Sequence, residues 1–135
     1  MKRSLIAFVL TGWIAGCGAQ PLDEASLREK ESDLNRLAAS LESAVRFQNA
    51  SDTLSEEQLK AFAIKDDPAQ LVPFANFVVR VRRQGVRSSV LVCTANGERG
   101  LWEDSGCTAR LDLRLWDRKP PAACAFQLDL AATCP

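Results

Sequence analysis

The chain has 135 residues, with seventeen basic and seventeen acidic side chains and neither histidine nor tyrosine. This length accommodates one small domain with a thin hydrophobic core. The balanced charge lacks the basic excess of a nucleic-acid-binding domain, so no nucleic-acid partner is predicted. Because histidine is absent, Ser-His-Asp and Cys-His catalysis and histidine-based zinc sites are excluded. Enzymes that use a pair of carboxylates are still compatible with the composition.

Residues 1–16 have the three parts of an export signal peptide. Lys2 and Arg3 form a positively charged start, a mostly apolar run follows, and the small residues Ala15 and Gly16 precede the expected cleavage point. The apolar run is too short for a membrane-spanning helix, which needs about 20 residues. We therefore expect residues 1–16 to be removed on export.

The signal ends in Ile14-Ala15-Gly16-Cys17, which resembles the lipobox of bacterial lipoproteins: an aliphatic residue, a small residue, Gly or Ala, then Cys. The resemblance covers residues 1–17. It implies a diacylglyceryl thioether on Cys17, cleavage before that residue, and acylation of the new amino group by a fatty acid such as palmitate. The thiolate is the strongest nucleophile among the side chains, which explains the need for Cys. Two or more acyl chains hold a protein stably in a bilayer.

The residue after Cys17 is Gly18 rather than Asp. By resemblance to the sorting rule of enteric bacterial lipoproteins, this implies the outer membrane rather than retention in the inner membrane. The expected location is therefore the cell outer membrane, with the domain facing the periplasm. A lipid bilayer is the first expected partner, contacted through acylated Cys17.

Charge divides the chain behind Cys17 into two regions. Residues 17–22 are predicted to be a tether, residues 23–67 an acidic helical region and residues 68–135 a disulfide-bonded β region that forms one domain with the helices. Residues 18–67 hold eleven acidic and six basic side chains, whereas residues 68–135 hold six acidic and nine basic ones.

Two helices are predicted in the acidic region. Residues 23–49 contain no Gly or Pro and are rich in helix formers. A second helix is predicted to begin at Ser55, with Gln58 completing a capping box, and to end before Pro68. The first helix carries an apolar stripe of Leu27, Leu34, Leu37, Ala38, Leu41, Ala44 and Val45.

That apolar stripe has two interpretations. The favoured one is an amphipathic helix packed on its own domain. The other is a coiled-coil seam over residues 27–45 for a second copy or a partner helix, although fewer than four heptads make a lone coiled coil weak.

After Pro73 the hydrophobic period changes to two, which predicts a small antiparallel sheet of four to five strands and hence an α+β fold. Turns are predicted at Gln84-Gly85 and, as a two-residue hairpin turn, at Asn96-Gly97. In the last predicted strand Cys124, Phe126, Leu128 and Leu130 share one face. The predicted strands cover residues 77–82, 88–94, 101–103, 107–116 and 123–130.

Four cysteines follow Cys17, namely Cys93, Cys107, Cys124 and Cys134. An even number in an exported chain predicts two disulfides. The 13, 16 and 9 residues between them lack the short paired spacings of a Cys₄ zinc site or a redox pair. No metal and no small-molecule cofactor are therefore predicted. Of the three possible pairings we favour Cys93–Cys107 with Cys124–Cys134, because each bond closes a short local loop.

Several side chains are candidates for a site or a partner surface. Trp102, Glu103 and Asp104 lie together near a turn, where two carboxylates beside an indole permit a metal or sugar site, although a solvated turn is the simpler interpretation. Trp116 either anchors a partner or covers the second face of the sheet. A set of four arginines either blocks a strand edge or docks an acidic partner, an anionic lipid or the chain's own acidic region. This set is Arg80, Arg82, Arg83 and Arg87.

The composition and motifs favour a non-enzymatic lipoprotein of the bacterial cell envelope that binds or assists another envelope protein, in an assembly, pilotin-like or inhibitor-like role. The possible partner surface comprises Trp102, Trp116, Arg80 and Arg82. One alternative is a helical spacer that dimerises through residues 27–45. Another is an enzyme acting on the cell wall, with Glu103 or Asp104 as acid or base.

Overall fold

A computed structural model describes residues 24–107 and 123–134, with side chains from residue 29 onward. The fold is α+β, as predicted. Cys17 and Trp116 lie outside the described residues, as does the predicted strand over 107–116 apart from Cys107. The elements are helix α1 (Glu24–Arg46), helix α2 (Glu56–Ala63), a 3₁₀ helix (Pro68–Phe74), strands β1 (Val78–Gln84), β2 (Arg87–Cys93) and β3 (Gly100–Asp104), and a final turn of helix α3 (Leu130–Thr133).

Helix α1 packs its apolar stripe on the chain's own sheet. The stripe residues from Leu34 to Val45 are each at most 4% exposed and belong to one core with valines of β1 and β2. The favoured interpretation, an amphipathic helix within its own domain, fits this packing. A coiled-coil seam would have to draw the same side chains out of the core. The helix ends three residues before Asn49, which has a φ of 55°, a left-handed conformation that Asn tolerates.

Helix α2 begins at the predicted capping box. The Ser55 hydroxyl accepts a hydrogen bond from the Gln58 N–H at 3.3 Å, and the Gln58 side chain accepts one from the Ser55 N–H at 2.9 Å. The 3₁₀ helix that follows was not predicted. Pro68 occupies its first turn, where a missing N–H costs nothing. Lys30 of α1 contacts the 3₁₀ helix by donating a hydrogen bond to the Pro73 carbonyl at 2.8 Å.

The described residues contain one antiparallel sheet of three strands in the order β1-β2-β3. Gln84 pairs with Arg87, so β1 and β2 are joined by a two-residue loop in which Gly85 has a φ of 61°. The predicted two-residue turn at Asn96-Gly97 is wrong. The Thr94 N–H instead bonds the Arg99 carbonyl at 2.9 Å, so the loop has four residues, with only Gly97 at positive φ.

The predicted strand over residues 123–130 is also wrong, although its alternation is right. Cys124, Phe126, Leu128 and Leu130 are more buried than the residues between them. The segment makes no strand ladder, however, and it ends in α3. We name residues 123–134 the strap, because they lie across the sheet without joining it.

The favoured disulfide pairing is wrong. The bonds are Cys93–Cys124 and Cys107–Cys134, with Cα–Cα distances of 5.7 and 5.6 Å. The register explains why. Cys93 faces Gly100 at the start of β3, whereas Cys107 follows the other end of that strand. A bond cannot join cysteines whose Cα atoms lie more than about 7 Å apart.

The sheet has two different faces, fixed by the register of its strands. Val79, Val81, Val90, Val92 and Trp102 lie in register on one face and share the core with α1. The opposite face carries Arg80, Arg82, Ser89, Leu91, Cys93 and Glu103. The strap covers this second face, and the candidate site lies between the two.

Candidate functional site

Two predicted surface arginines hold the strap on the sheet. Arg80 donates to the Cys124 carbonyl at 3.0 Å, and Arg82 donates to the Leu128 carbonyl at 2.6 Å. Both guanidinium groups lie near the Phe126 ring, at 5.5 and 4.8 Å from its centroid. Both guanidinium groups therefore bond the strap and contact its aromatic ring, so these arginines serve the fold, although their side chains are still 39% and 32% exposed.

Glu103, the candidate acid or base, also bonds the backbone of the strap. Its Oε2 atom accepts hydrogen bonds from the backbone N–H groups of Gln127 at 2.7 Å and Leu128 at 3.1 Å. Its Oε1 atom lies 3.7 Å from an Arg82 nitrogen, and its side chain is only 7% exposed. Burial raises the pKa of Glu103, and the two N–H groups and Arg82 only partly oppose that rise.

Asp104 does not form a carboxylate pair with Glu103. Neighbouring residues of a strand point to opposite faces, and Asp104 lies on the helix-facing side. Its side chain is buried, and Oδ1 accepts the Ser105 N–H at 2.7 Å. Two-carboxylate chemistry between Glu103 and Asp104 is therefore excluded by the pleat of β3. The signal in the sequence was the predicted strand over residues 101–103, which stopped one residue short of Asp104.

Trp102 is a core residue, not part of a partner surface. It is 8% exposed, and its ring centroid lies 5.6 Å from that of Phe77. Its partner in β2 is Val92, on the face that packs against α1. A solvated turn at this position is thus wrong for all three residues from Trp102 to Asp104, because β3 extends through them.

The chain's own acidic region docks on the arginine-rich hairpin, one of the interpretations left open above. Arg80 pairs with Glu56 of α2, with an Nε–Oε1 distance of 3.3 Å. Arg83 forms an ion pair with Asp52 and donates to the Ala50 carbonyl at 2.6 Å. Exposed ion pairs of this type contribute at most about 1 kcal/mol each. Their main effect here is to set the position of α2 relative to β1.

The outer edge of β1 is closed by the same helix. The Val81 N–H donates to Glu56 Oε1 at 3.0 Å, and the Val79 carbonyl accepts from Lys60 Nζ at 3.1 Å. Unpaired backbone groups on an edge strand invite pairing with another chain. Side chains of α2 occupy these two groups, so this stretch of β1 does not offer a free ladder to a partner strand.

Exposed apolar side chains lie at one end of the described fold. Phe47 follows the last residue of α1 and is 72% exposed, and Val86 in the β1–β2 loop is 57% exposed. The bond from Arg83 to Ala50 and the bond from Ser88 to Glu42 bring that loop to the end of α1. We name Phe47 and Val86 the apolar tip. Neither residue was singled out from the sequence, because single apolar residues in loops carry no periodic signal.

A groove of about 420 Å³ lies between α2 and the β1–β2 hairpin. Charged side chains line it, including Asp52, Glu56 and Arg83, and these three are already engaged in the ion pairs described above. Within residues 24–107 and 123–134 there is no cluster of three metal-ligating side chains. None of the helices in this part of the chain is long and apolar enough to span a membrane.

The side chains of Glu103, Arg80 and Arg82 thus hold the strap on the sheet. The apolar tip is the exposed feature that most resembles a protein-binding surface. Compared with protein-family models, with curated proteins and with solved structures, the chain matches none of them.

Proposed function

We propose that this chain is a lipid-anchored, non-enzymatic lipoprotein of the bacterial cell envelope. The observation that carries the proposal is the position of Cys17 in Ile14-Ala15-Gly16-Cys17. The chain has five cysteines, and the other four are consumed in two disulfides. Cys17 is therefore left outside both disulfides and is free for acylation.

The position of the first helix agrees with a short tether. Helix α1 begins at Glu24, seven residues after Cys17. An extended stretch of that length reaches at most about 25 Å. On this proposal the domain stays close to the bilayer surface, facing the periplasm, and Gly18 places the anchor in the outer membrane.

A role in binding another envelope protein is the activity best supported by the contacts. The carboxylate of Glu103, the best catalytic candidate, is occupied with strap backbone. Phe47 and Val86 are instead exposed at one end of the fold, and the Arg46 guanidinium lies 5.8 Å from the Phe47 ring. Aromatic and arginine side chains are enriched among residues that dominate protein interfaces.

The anchor is tested by changing Cys17 to Ser and Gly18 to Asp in separate variants. The proposal expects Cys17→Ser to abolish lipid labelling and to release the protein from washed membranes. Gly18→Asp is the matched control, which keeps the lipid but moves the protein to the inner membrane. Unchanged membrane partition of Cys17→Ser would contradict the anchor.

The binding role is tested by photo-crosslinking in intact envelopes. A crosslinking residue placed at Phe47 or Val86 is expected to capture a defined protein, and the same residue at Val72 is the control. Val72 is 70% exposed and belongs to the 3₁₀ helix, which Lys30 joins to the early part of α1. Equal capture at all three positions, or none at Phe47 and Val86, would contradict a binding surface at the tip.

A further inference from the structure

The two disulfides interleave along the chain. In chain order, the first of the four cysteines, Cys93, joins the third, and the second, Cys107, joins the fourth. The bonds span 31 and 27 residues. Neither bond joins cysteines that are consecutive in the sequence. For correct pairing, each of the first two cysteines must therefore stay unpaired until a later cysteine is available.

The competing bond between Cys93 and Cys107 is favoured in the unfolded chain. It closes a loop of 14 residues rather than 31. With the usual three-halves power of loop length, the shorter loop closes about threefold more readily. During export the N-terminal part of a chain emerges first, so Cys93 and Cys107 also meet an oxidant before Cys124 arrives.

That bond is incompatible with the native sheet. Cys93 faces Gly100, and β3 then runs away from it to Asp104. Four residues of strand cover about 13 Å, nearly twice the limit for a disulfide. Beyond β3, Gly106 lies against Ala38 and Glu42 of α1, at the end of the sheet where Glu42 accepts from Ser88. A Cys93–Cys107 bond therefore prevents β2 and β3 from pairing in register.

We propose that this chain is a client of a thiol–disulfide isomerase, and that the Cys93–Cys107 bond is the species on which the isomerase acts. The inference rests on the export step of the proposed function but not on lipidation. The catalytic thiolate of the isomerase attacks the Cys93 sulfur, which breaks the Cys93–Cys107 bond and releases the Cys107 thiolate. In this species Cys93–Cys107 is the single disulfide and Cys124 and Cys134 are thiols, so the Cys124 thiolate then attacks Cys93 in the mixed disulfide and expels the isomerase thiolate.

These two exchanges are redox-neutral and regenerate the isomerase. Cys107 and Cys134 then lose two electrons and two protons to a dithiol–disulfide oxidase, whose disulfide is reduced to a dithiol. The native bonds are protected once formed, because Cys93 is fully buried and Cys134 is 3% exposed. The Ser105 hydroxyl also contacts both sulfurs of the second bond, at 3.0 and 2.8 Å. Reshuffling therefore stops at the native pairing.

The test compares the protein exported by cells with and without their disulfide isomerase. Linked peptides from a non-reducing digest report the pairing. Without isomerase, we expect the native Cys93–Cys124 bond in about one third of molecules or fewer, since four cysteines allow three pairings. Most of the rest should carry Cys93–Cys107, because that loop is the shorter one to close. With isomerase present, native pairing should rise about threefold.

The control is the Cys107→Ala/Cys134→Ala double variant, in which only Cys93–Cys124 can form. Its yield should not depend on the isomerase. Purified wild-type protein, reduced and re-oxidised by an oxidase with and without isomerase, repeats the comparison outside the cell. Equal native pairing in the two strains and in both refolding reactions would overturn the proposal. If native pairing in a Cys17→Ser variant depends on the isomerase to the same extent, the isomerase inference holds independently of the lipid anchor.

Discussion

The two faces of the sheet are held by different kinds of interaction. On the helix-facing side, valines of β1 and β2 pack against leucines of α1 in one apolar core. On the strap side, Arg80, Arg82 and Glu103 bond the backbone of the strap, and two disulfides close it. A small domain buries little surface and is only marginally stable. On the strap side this chain buries Leu91 and Leu130 and adds covalent bonds and charged hydrogen bonds.

The difference predicts that the helix-facing core dominates stability. Phe74 is 1% exposed, and Phe74→Ala should lower the free energy of unfolding by about 3–5 kcal/mol, the usual cost of removing a buried ring. Phe47→Ala makes the same chemical change at a 72% exposed site and should be close to neutral. Urea denaturation measures both. Equal losses would mean that the core is not where the structure places it.

The strap should depend on its covalent bonds. Removing Cys93–Cys124, which closes a 31-residue loop, should lower the free energy of unfolding by about 3.7 kcal/mol in the loop-entropy model. Hydrogen exchange should rise sharply in residues 124–134 of the Cys93→Ala/Cys124→Ala variant, while protection in α1 and β2 persists. Uniform loss of protection would show instead that the two faces form one cooperative unit.

The contact between α1 and the end of β3 predicts an intermediate effect. A Cβ atom at Gly106 would overlap the Ala38 carbonyl and the Glu42 side chain. Forcing atoms into such a contact costs about 1–3 kcal/mol, so Gly106→Ala should lower the thermal midpoint by several degrees. Gly97→Ala is the comparison, because a Cβ there meets only a Val78 methyl at 3.8 Å, although its positive φ adds some strain. An unchanged thermal midpoint for Gly106→Ala would contradict this close packing.

The smallest effect should be a pH dependence on the strap side. Burial raises the pKa of Glu103 in the folded chain above its value in the unfolded chain. The folded state therefore binds the proton more tightly, and this contribution to stability is complete below the unfolded pKa and lost as pH rises through the folded pKa. Relative to Glu103→Gln, the wild type should lose stability as pH rises above the ordinary glutamate pKa of 4.5. A difference that stays constant or grows with pH would contradict the burial of this carboxyl.

The sequence predicted correctly the elements that depend on interactions between residues close together in the chain. The Ser55–Gln58 capping box placed the start of α2, and alternation placed β1 and β2 within two residues at each end. Alternation also identified the buried face of the strap, although the strap is not a strand. A period of two in the hydrophobic pattern indicates which side chains are buried. It does not require that the segment form backbone hydrogen bonds with a neighbouring strand.

The features that the sequence did not predict depend on distant parts of the chain. The disulfide pairing follows from the register of β3 and from the path of the strap, and loop length alone favoured the wrong bonds. Gly106 lies in close contact with α1, and no pattern in the sequence around it indicates that contact. Glu103 was chosen as a catalytic candidate because two carboxylates adjoin in sequence. Their opposite directions become decisive only once β3 is known to extend through them.

A peptide map of the mature protein, digested without reduction and analysed by mass spectrometry, tests the account most directly. We expect an N-terminal peptide that begins at Cys17 and carries the mass of a diacylglyceryl group and a further acyl chain, together with linked peptides for Cys93–Cys124 and Cys107–Cys134. An unmodified peptide containing Cys17, or Cys17 linked to any of the other four cysteines, would contradict it.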